Sequence, residues 1–215
     1  MLLVCYGTRP EYLKLKPLFE KMKGVVPFKT LFINQHTDLV SGNSDYKIEI
    51  SDGRNRLDSI VSSIMNCFDF KAEGIKSVLV QGDTTTAFAI ALSAFNHKIP
   101  IVHLEAGLRT HNLAQPYPEE ANRQMISRIA TTHLCPTELS KERLVKEKIR
   151  GYIEVVGNTI LDNLVGIKTK RENKVLVTMH RRENLDNLSE WFFSIDKLAQ
   201  KYSEYEFLFP MHPNP

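Results

Sequence analysis

The chain has 215 residues, of which 42% are hydrophobic and 25% are charged, and this length corresponds to one large domain or one domain and part of another. The composition excludes a disordered or fibrous protein, and no stretch approaches the roughly 20 apolar residues that a membrane-spanning helix needs. The formal net charge of +3, from 28 Lys and Arg against 25 Asp and Glu, is too balanced to indicate a nucleic-acid-binding protein.

Short apolar runs recur along the chain, each followed by a polar turn and most by a stretch with helical periodicity. This pattern predicts βα units and an α/β fold with a Rossmann-like parallel sheet and helices on both faces. The predicted strands are residues 1–6, 28–33, 77–80, 101–104, 132–135, 153–156, 174–178 and 206–209.

Several of the intervening helices have recognisable start signals. Thr8 and Glu11 have the spacing of a capping box, Asp83 precedes a helix predicted over 84–95, and Thr137 precedes one over 138–146. A fourth helix is predicted from the spacing of apolar residues after the turn at 52–55: Leu57, Ile60, Val61 and Ile64.

A polar, unpatterned segment at 166–173 predicts a linker between two domains. Residues 1–165 then form an N-terminal Rossmann-like domain, and residues 174–215 form the beginning of a second, nucleotide-binding domain. Two strands and one helix are too few to bury their faces alone. We therefore expect that this segment packs on the first domain or that the chain is a truncated part of a longer protein.

Ionisable residues follow five of the predicted strands. In an open parallel sheet, ligands bind beyond the carboxyl ends of the strands, where loops and helix N-termini meet. Any one of these residues can be explained as a helix cap or a surface charge. Their occurrence together favours an active site instead. The residues on which this interpretation rests are Arg9, Asp83, Glu105, Glu119 and His180.

Several common sites lack their residues in this sequence. There is no GxGxxG after the first strand, no GxxxxGK[ST], no HExxH and no GxSxG, so we expect no NAD site, P-loop, metal centre or serine hydrolase elbow. What remains is a cleft with helix N-termini and cations suited to phosphate, and carboxylates suited to proton transfer. This combination favours chemistry on a sugar nucleotide.

Six motifs resemble, in order and spacing, those of the non-hydrolysing UDP-N-acetylglucosamine 2-epimerases. They are Gly7-Thr8-Arg9-Pro10-Glu11 with Lys14, Gly82-Asp83-Thr84-Thr85-Thr86, His103-Leu104-Glu105-Ala106-Gly107-Leu108-Arg109-Thr110, Pro118-Glu119-Glu120-Ala121-Asn122-Arg123, Val156-Gly157-Asn158-Thr159 and His180-Arg181-Arg182-Glu183-Asn184. The resemblance implies a two-domain GT-B fold and a homodimer. It also implies interconversion of UDP-GlcNAc and UDP-ManNAc without metal or redox cofactor, by elimination of UDP to a 2-acetamidoglucal and its re-addition.

The resemblance also implies roles for individual residues. Asp83, Glu105 and Glu119 match the acidic residues of proton transfer and elimination, and His180 matches a histidine near the departing diphosphate. The matched substrate-binding positions are Arg9, Lys14, Arg109, Arg181 and His212, of which the last two also lie near a regulatory site for a second UDP-GlcNAc. Gln35 and His36 match the start of that regulatory segment, but the residues after them depart from the family pattern.

Two other functions stay open at this point. The family continues beyond the length of this chain with an acidic-Ser-Gly-Gly stretch that holds the uridine ribose and the diphosphate. One alternative is therefore an inactive fragment that binds a nucleotide sugar. The other is a glycosyltransferase, or an epimerase for another UDP-HexNAc.

The three cysteines, Cys5, Cys67 and Cys135, are an odd number without CxxC spacing. They indicate neither a disulfide framework nor a zinc site, and we expect reduced thiols in the core. The apolar run at 1–6 ends at Gly7, which is too early for a secretory signal. The sequence thus predicts a cytoplasmic protein.

Overall fold

The computed structural model describes residues 1–34, 44–67, 69–70, 73–179 and 188–210. The chain divides into two compact units, Met1–Val165 and Gly166–Pro215. The first unit contains a parallel sheet with helices on both faces, so the predicted α/β class is confirmed.

Within the described residues, seven strands form the sheet of the first unit, in the order β3-β2-β1-β4-β5-β6-β7, and all pair in parallel. The order reverses at β1, which pairs with both β2 and β4 and so forms the switch point where ligands bind in such sheets. The strands are β1 (Leu2–Tyr6), β2 (Phe28–Asn34), β3 (Tyr46–Glu49), β4 (Ser77–Gln81), β5 (Ile101–Leu104), β6 (Thr132–Cys135) and β7 (Tyr152–Val155).

The edge strand β3 is absent from the sequence-based prediction. It is four residues long and only Ile48 is buried, because the strand lies at the border of the sheet. Lys47 and Glu49 alternate with Ile48 and form an ion pair of 2.6 Å on its outer face. One buried residue in four leaves too weak an apolar run to predict a strand.

Five α-helices and one 3₁₀ helix are described in the first unit. They are α1 (Arg9–Met22), α2 (Arg56–Cys67), α3 (Thr85–Asn96), α4 (Glu119–Ile129), α5 (Glu138–Lys146) and the 3₁₀ helix Thr159–Leu164. The predicted starts at Thr8 and Thr137 are confirmed, since each side chain accepts an N–H of its helix. In the described part of the chain no helix is both long and apolar enough to cross a membrane.

The central strands of this sheet are buried on both faces, as is typical of parallel sheets. Successive residues of β1 enter different cores: Leu3 and Cys5 pack on one side, and Val4 and Tyr6 on the other. Cys5 and Cys135 are buried, as expected, but Cys67 is exposed at the end of α2, so the expectation of a core thiol is wrong there.

The second unit contains β8 (Lys174–Leu176), β9 (Glu206–Leu208) and α6 (Leu188–Lys201). The two strands pair in parallel, and Phe192 of α6 contacts Phe209 edge-on at 5.4 Å between ring centroids. None of the residues described in this unit is buried. The described residues of this βαβ segment thus contain no buried core.

Candidate active site

The loops after β1, β4 and β5 meet at one edge of the sheet, because these three strands are neighbours and all run in the same direction. The first loop leads into α1, the second contains Asp83, and the third begins with Glu105. Helix α4, which begins at Glu119, lies beside them, since its Asn122 donates to the carbonyl of Asp83 at 2.9 Å. Three of the predicted catalytic residues therefore belong to one cluster.

Glu105 is held by donors from two different elements. Nζ of Lys14, in α1, lies 2.7 Å from Oε1 and 2.6 Å from Oε2 of Glu105, and Nε2 of Gln81 donates a hydrogen bond to Oε2. The Glu105 side chain is only 16% exposed. Its backbone has φ 68°, a left-handed conformation that costs a residue other than glycine about 1 kcal/mol. Such strain is typical of functional positions.

Asp83 has a carboxyl group whose charge is sensitive to pH near neutrality. Burial raises its pKa to about 6. The cations of Arg123 and Lys14 lower the pKa, while the carboxylates of Glu105 and Glu119 raise it. A carboxyl group with this pKa can either accept or donate a proton at physiological pH.

Three side chains fix the loop that carries Asp83. A ring nitrogen of His103, Nε2, lies 2.8 Å from the carbonyl oxygen of Gly82, and burial lowers the pKa of His103 to about 4. Because a carbonyl only accepts, Nε2 of the neutral ring carries the hydrogen. Asn122 holds the next carbonyl, and the hydroxyl of Thr84 donates to Oε1 of Glu11 at 2.7 Å.

Glu11 joins this loop to the loop after β1. Its buried Oε2 accepts from the N–H groups of Gly7 at 2.9 Å and Thr8 at 2.6 Å, and from the Thr8 hydroxyl at 2.8 Å. The predicted capping box is therefore confirmed. The structure adds that Oε1 of the same carboxylate contacts Thr84, which caps α3 by accepting from the N–H of Ala87 at 3.1 Å. Thr84 and not Asp83 caps this helix, which leaves the Asp83 carboxylate free for the cluster.

The structure places Arg109 in the packing of α4 and α5 and not in this cluster. Its side chain is fully buried, and Nε and Nη2 lie 2.8 and 3.0 Å from the two carboxylate oxygens of Glu147. Nη2 also donates to Ser127, and Nη1 donates to the carbonyl of Leu108. Every guanidinium nitrogen thus has a partner within the protein, so Arg109 is not a surface cation, and its contact with the substrate stays a prediction that this position does not support.

The remaining predicted residues have different outcomes. Arg9 is exposed at the first residue of α1. A small cavity lies beside Glu105. Two of its lining residues, Asn158 and Thr159, belong to the motif that follows β7, and the lining also includes Lys14, Gln81 and Pro136. Five predicted positions lie outside the described residues: Gln35, His36, His180, Arg181 and His212.

Gly107, two residues after Glu105, tests how tightly α5 packs against this loop. It has φ 87°, and a Cβ added there would lie 2.3 Å from the backbone oxygen of Ser140. Gly24 is a matched control, because its φ of 75° is equally left-handed but a Cβ would meet nothing within 4 Å. We expect Gly24→Ala to cost about 1 kcal/mol and Gly107→Ala roughly 2 kcal/mol more in urea unfolding. Equal losses of stability in the two variants would show that α5 moves away from the added Cβ at no cost in free energy.

Sequence reasoning did not identify three side chains that hold the clustered carboxylates or their loops in place. Gln81 ends a buried strand with a polar residue, His103 is a buried histidine in a strand, and Arg123 lies in a motif quoted for its glutamates. A polar residue in an otherwise apolar strand is the signal that identifies the first two, because a buried polar group needs a partner. Within the described residues, no three His, Cys, Asp or Glu side chains converge in an arrangement that holds a metal ion.

A family model for UDP-N-acetylglucosamine 2-epimerase matches residues 29–215. The chain belongs to this epimerase family. It is 36% identical to the UDP-N-acetylglucosamine 2-epimerases of Neisseria meningitidis serogroup A and of Bacillus subtilis, over 99% and 98% of its length. The alignments cover 66% and 62% of those relatives, so the chain spans less than two thirds of their length.

Solved structures of family members have the same fold. A putative UDP-N-acetylglucosamine 2-epimerase from Listeria monocytogenes matches all of the chain with a TM-score of 0.88 at 33% identity, over 63% of its own length. The Neisseria meningitidis epimerase bound to UDP-GlcNAc matches all of the chain with a TM-score of 0.86 at 33% identity, over 66% of its own length. The GT-B type of α/β fold expected from the family resemblance is confirmed.

Proposed function

We propose that the protein is a UDP-N-acetylglucosamine 2-epimerase that interconverts UDP-GlcNAc and UDP-ManNAc. The observation that carries this proposal is the pairing of two carboxyl groups at the carboxyl ends of β4 and β5, on the side of the switch point at β1: Asp83 has a pKa of about 6, and Glu105 is held by Lys14. The proposal includes the homodimer that the family resemblance implies and the cytoplasmic location expected from the short apolar run at residues 1–6. It draws support from the related Neisseria meningitidis enzyme, whose structure holds UDP-GlcNAc.

The chemistry of C2 explains why the reaction needs both anions and cations. The proton on C2 is not next to a carbonyl group, so it becomes acidic only as the C1–O bond to UDP breaks and positive charge develops at C1. In our proposal, UDP leaves with the electrons of that bond, a carboxylate takes the C2 proton, and the C1–C2 double bond of a 2-acetamidoglucal forms. Cations near the diphosphate stabilise the negative charge of the leaving group.

The return reaction needs a proton donor on the other face of the sugar. UDP adds back to C1 while an acidic group delivers a proton to C2, and the configuration at C2 is thereby inverted. Asp83 and Glu105 come from adjacent strand ends, which suits a pair that approaches one carbon from two sides. The elimination and the addition balance without oxidation or reduction, so carboxyl groups alone can move the proton.

Proton NMR in D₂O tests this function directly. We expect that incubation of the protein with UDP-GlcNAc removes the C2 proton signal and produces the C2 epimer, UDP-ManNAc. UDP-GalNAc is the matched control substrate, and faster exchange with it would indicate an epimerase for another UDP-HexNAc. Release of UDP without exchange at C2 would favour a glycosyltransferase, and binding of UDP-GlcNAc without either change would favour an inactive binding protein.

A further inference from the structure

The inner face of α4 carries an arginine between two carboxylates. The Arg123 side chain is only 8% exposed. Its Nη1 lies 3.5 Å from Oδ2 of Asp83, and its Nε lies 2.8 Å from Oε2 of Glu120. Both contacts are ion pairs, and Nε donates no aligned hydrogen bond, so the attraction is between charges. Because the guanidinium group is rigid and planar, its two ends hold the two carboxylates at a set distance from each other.

Glu120 anchors this arrangement to the segment that follows β5. It is fully buried and accepts from the N–H groups of Thr110 at 2.9 Å and His111 at 3.0 Å, and from the amide of Gln124 at 2.7 Å. Burial alone would raise the pKa of Glu120, but these donors and the Arg123 charge outweigh it and lower the pKa to about 2. Glu120 is therefore an anion at every physiological pH, and Arg123 has a permanent counter-ion.

Two cations and two other carboxylates face Asp83. Lys14 on α1 is one cation, but its ammonium group is already bound to both oxygens of Glu105. Glu105, after β5, and Glu119, at the start of α4, are the two carboxylates, and both oppose ionisation of Asp83. Arg123 is thus the cation that remains to hold the ionised form of Asp83 within the described cluster.

We infer that Arg123 is a positioning residue, which orients the Asp83 carboxylate and, through Glu120, ties it to the segment that follows Glu105. The inference rests on the proposed function, in which Asp83 and Glu105 act on the same carbon. Groups that transfer a proton must stay within about 0.5 Å of their working geometry. Because Arg123 contacts both Asp83 and Glu120, it keeps the loops that follow β4 and β5 at a constant separation.

The test is the pKa of Asp83 itself, measured by NMR of the protein with ¹³C-labelled aspartate carboxyls. Asp83→Asn identifies the signal. We expect Arg123→Gln to raise the Asp83 pKa by about one unit, because the opposite charge that favours ionisation is lost. Arg123→Lys keeps the charge but not the planar geometry, so we expect a smaller rise. Arg128→Gln is the control, since Arg128 is exposed on the same helix and bonds only the carbonyl of Glu147 among the described residues.

An unchanged Asp83 pKa in Arg123→Gln would overturn the inference, whatever the activity of the variant. If Arg123→Gln does not fold because Glu120 loses its counter-ion, Arg123→Lys is the deciding variant. If Arg123→Lys had the same Asp83 pKa and the same pH profile of kcat as the unsubstituted chain, the inference would be overturned. Where exchange at C2 occurs, the acidic limb of kcat should move with the NMR value. Absence of exchange in the unsubstituted protein would instead contradict the proposed function, and the NMR result would still stand.

Discussion

Glu105→Gln is expected to reduce proton exchange at C2 by roughly 1000-fold or more, because a carboxamide cannot accept or deliver the proton. The replacement keeps the size of the side chain, and its amide oxygen can still accept from Lys14. The loss of exchange would therefore result from the missing proton transfer and not from a change in the shape of the side chain. The measurement is the rate of deuterium incorporation from D₂O, followed on the same samples whose unfolding is recorded.

The same variant should leave the fold almost unchanged. The Lys14–Glu105 pair is partly open to solvent, with side chains 24% and 16% exposed. Unlike Arg109, which is fully buried, Lys14 keeps contact with water, so its charge can be hydrated when the carboxylate is lost, and the cost is about 1 kcal/mol. We therefore expect urea unfolding of Glu105→Gln within about 1 kcal/mol of the unsubstituted chain.

Glu147→Gln is the matched control with the opposite expectation. Its partner Arg109 is fully buried, so the substitution leaves a buried guanidinium without its counter-ion. Breaking such a pair costs about 3 kcal/mol, and we expect that loss of stability without a comparable loss of exchange per folded molecule. If both variants lost activity in proportion to stability, Glu105 would be a structural residue and the proposed mechanism would lose its central group.

The sequence predicts the edge of the sheet where the site lies, but not the contacts within it. Polar residues at strand ends follow from the geometry of parallel strands, so Asp83 and Glu105 could be selected from local patterns alone. Lys14 and Glu105 are 91 residues apart, and no periodicity indicates that their side chains meet. That contact depends on β1, β4 and β5 being neighbours, which is a property of the topology.

Arg109 shows why residue type and position do not settle a role. It follows Glu105 closely and has the charge that a diphosphate requires, so the motif favours a ligand contact. The deciding feature is Glu147, at the end of α5, which supplies both oxygens for a buried pair. A partner 38 residues away is invisible to local patterns, and the same is true of the contact between Glu11 and Thr84.

Asp83→Asn should abolish exchange at C2 and at the same time stabilise the fold at neutral pH. The pKa of Asp83 is raised from 3.8 to about 6, mainly by burial. A carboxyl with a raised pKa binds its proton more tightly in the folded than in the unfolded chain, so ionising it costs stability. The amide is neutral at every pH and avoids this cost.

The sign and the pH range of this effect are fixed by the two pKa values. Below pH about 4 the carboxyl is protonated in both states, and the two proteins should be equally stable within about 0.5 kcal/mol. Between pH about 4 and about 6 the unsubstituted chain should lose stability relative to Asp83→Asn, and above pH 6 the difference should stay constant. The shift corresponds to a gap of up to roughly 3 kcal/mol, which charge screening at this partly exposed site will reduce.

Urea unfolding of both proteins between pH 4 and pH 8 measures this gap, and the difference between them cancels the titration of all other groups. Asp162→Asn, at an exposed position of the 3₁₀ helix, should change stability by less than about 0.5 kcal/mol at either pH. A gap that did not grow with pH would mean that Asp83 ionises in the folded chain as easily as in water. Asp83 would then lack the raised pKa that suits it to exchange a proton near neutral pH. A gap that opens between pH 4 and 6 would show instead that the raised pKa of this carboxyl group lowers the stability of the fold.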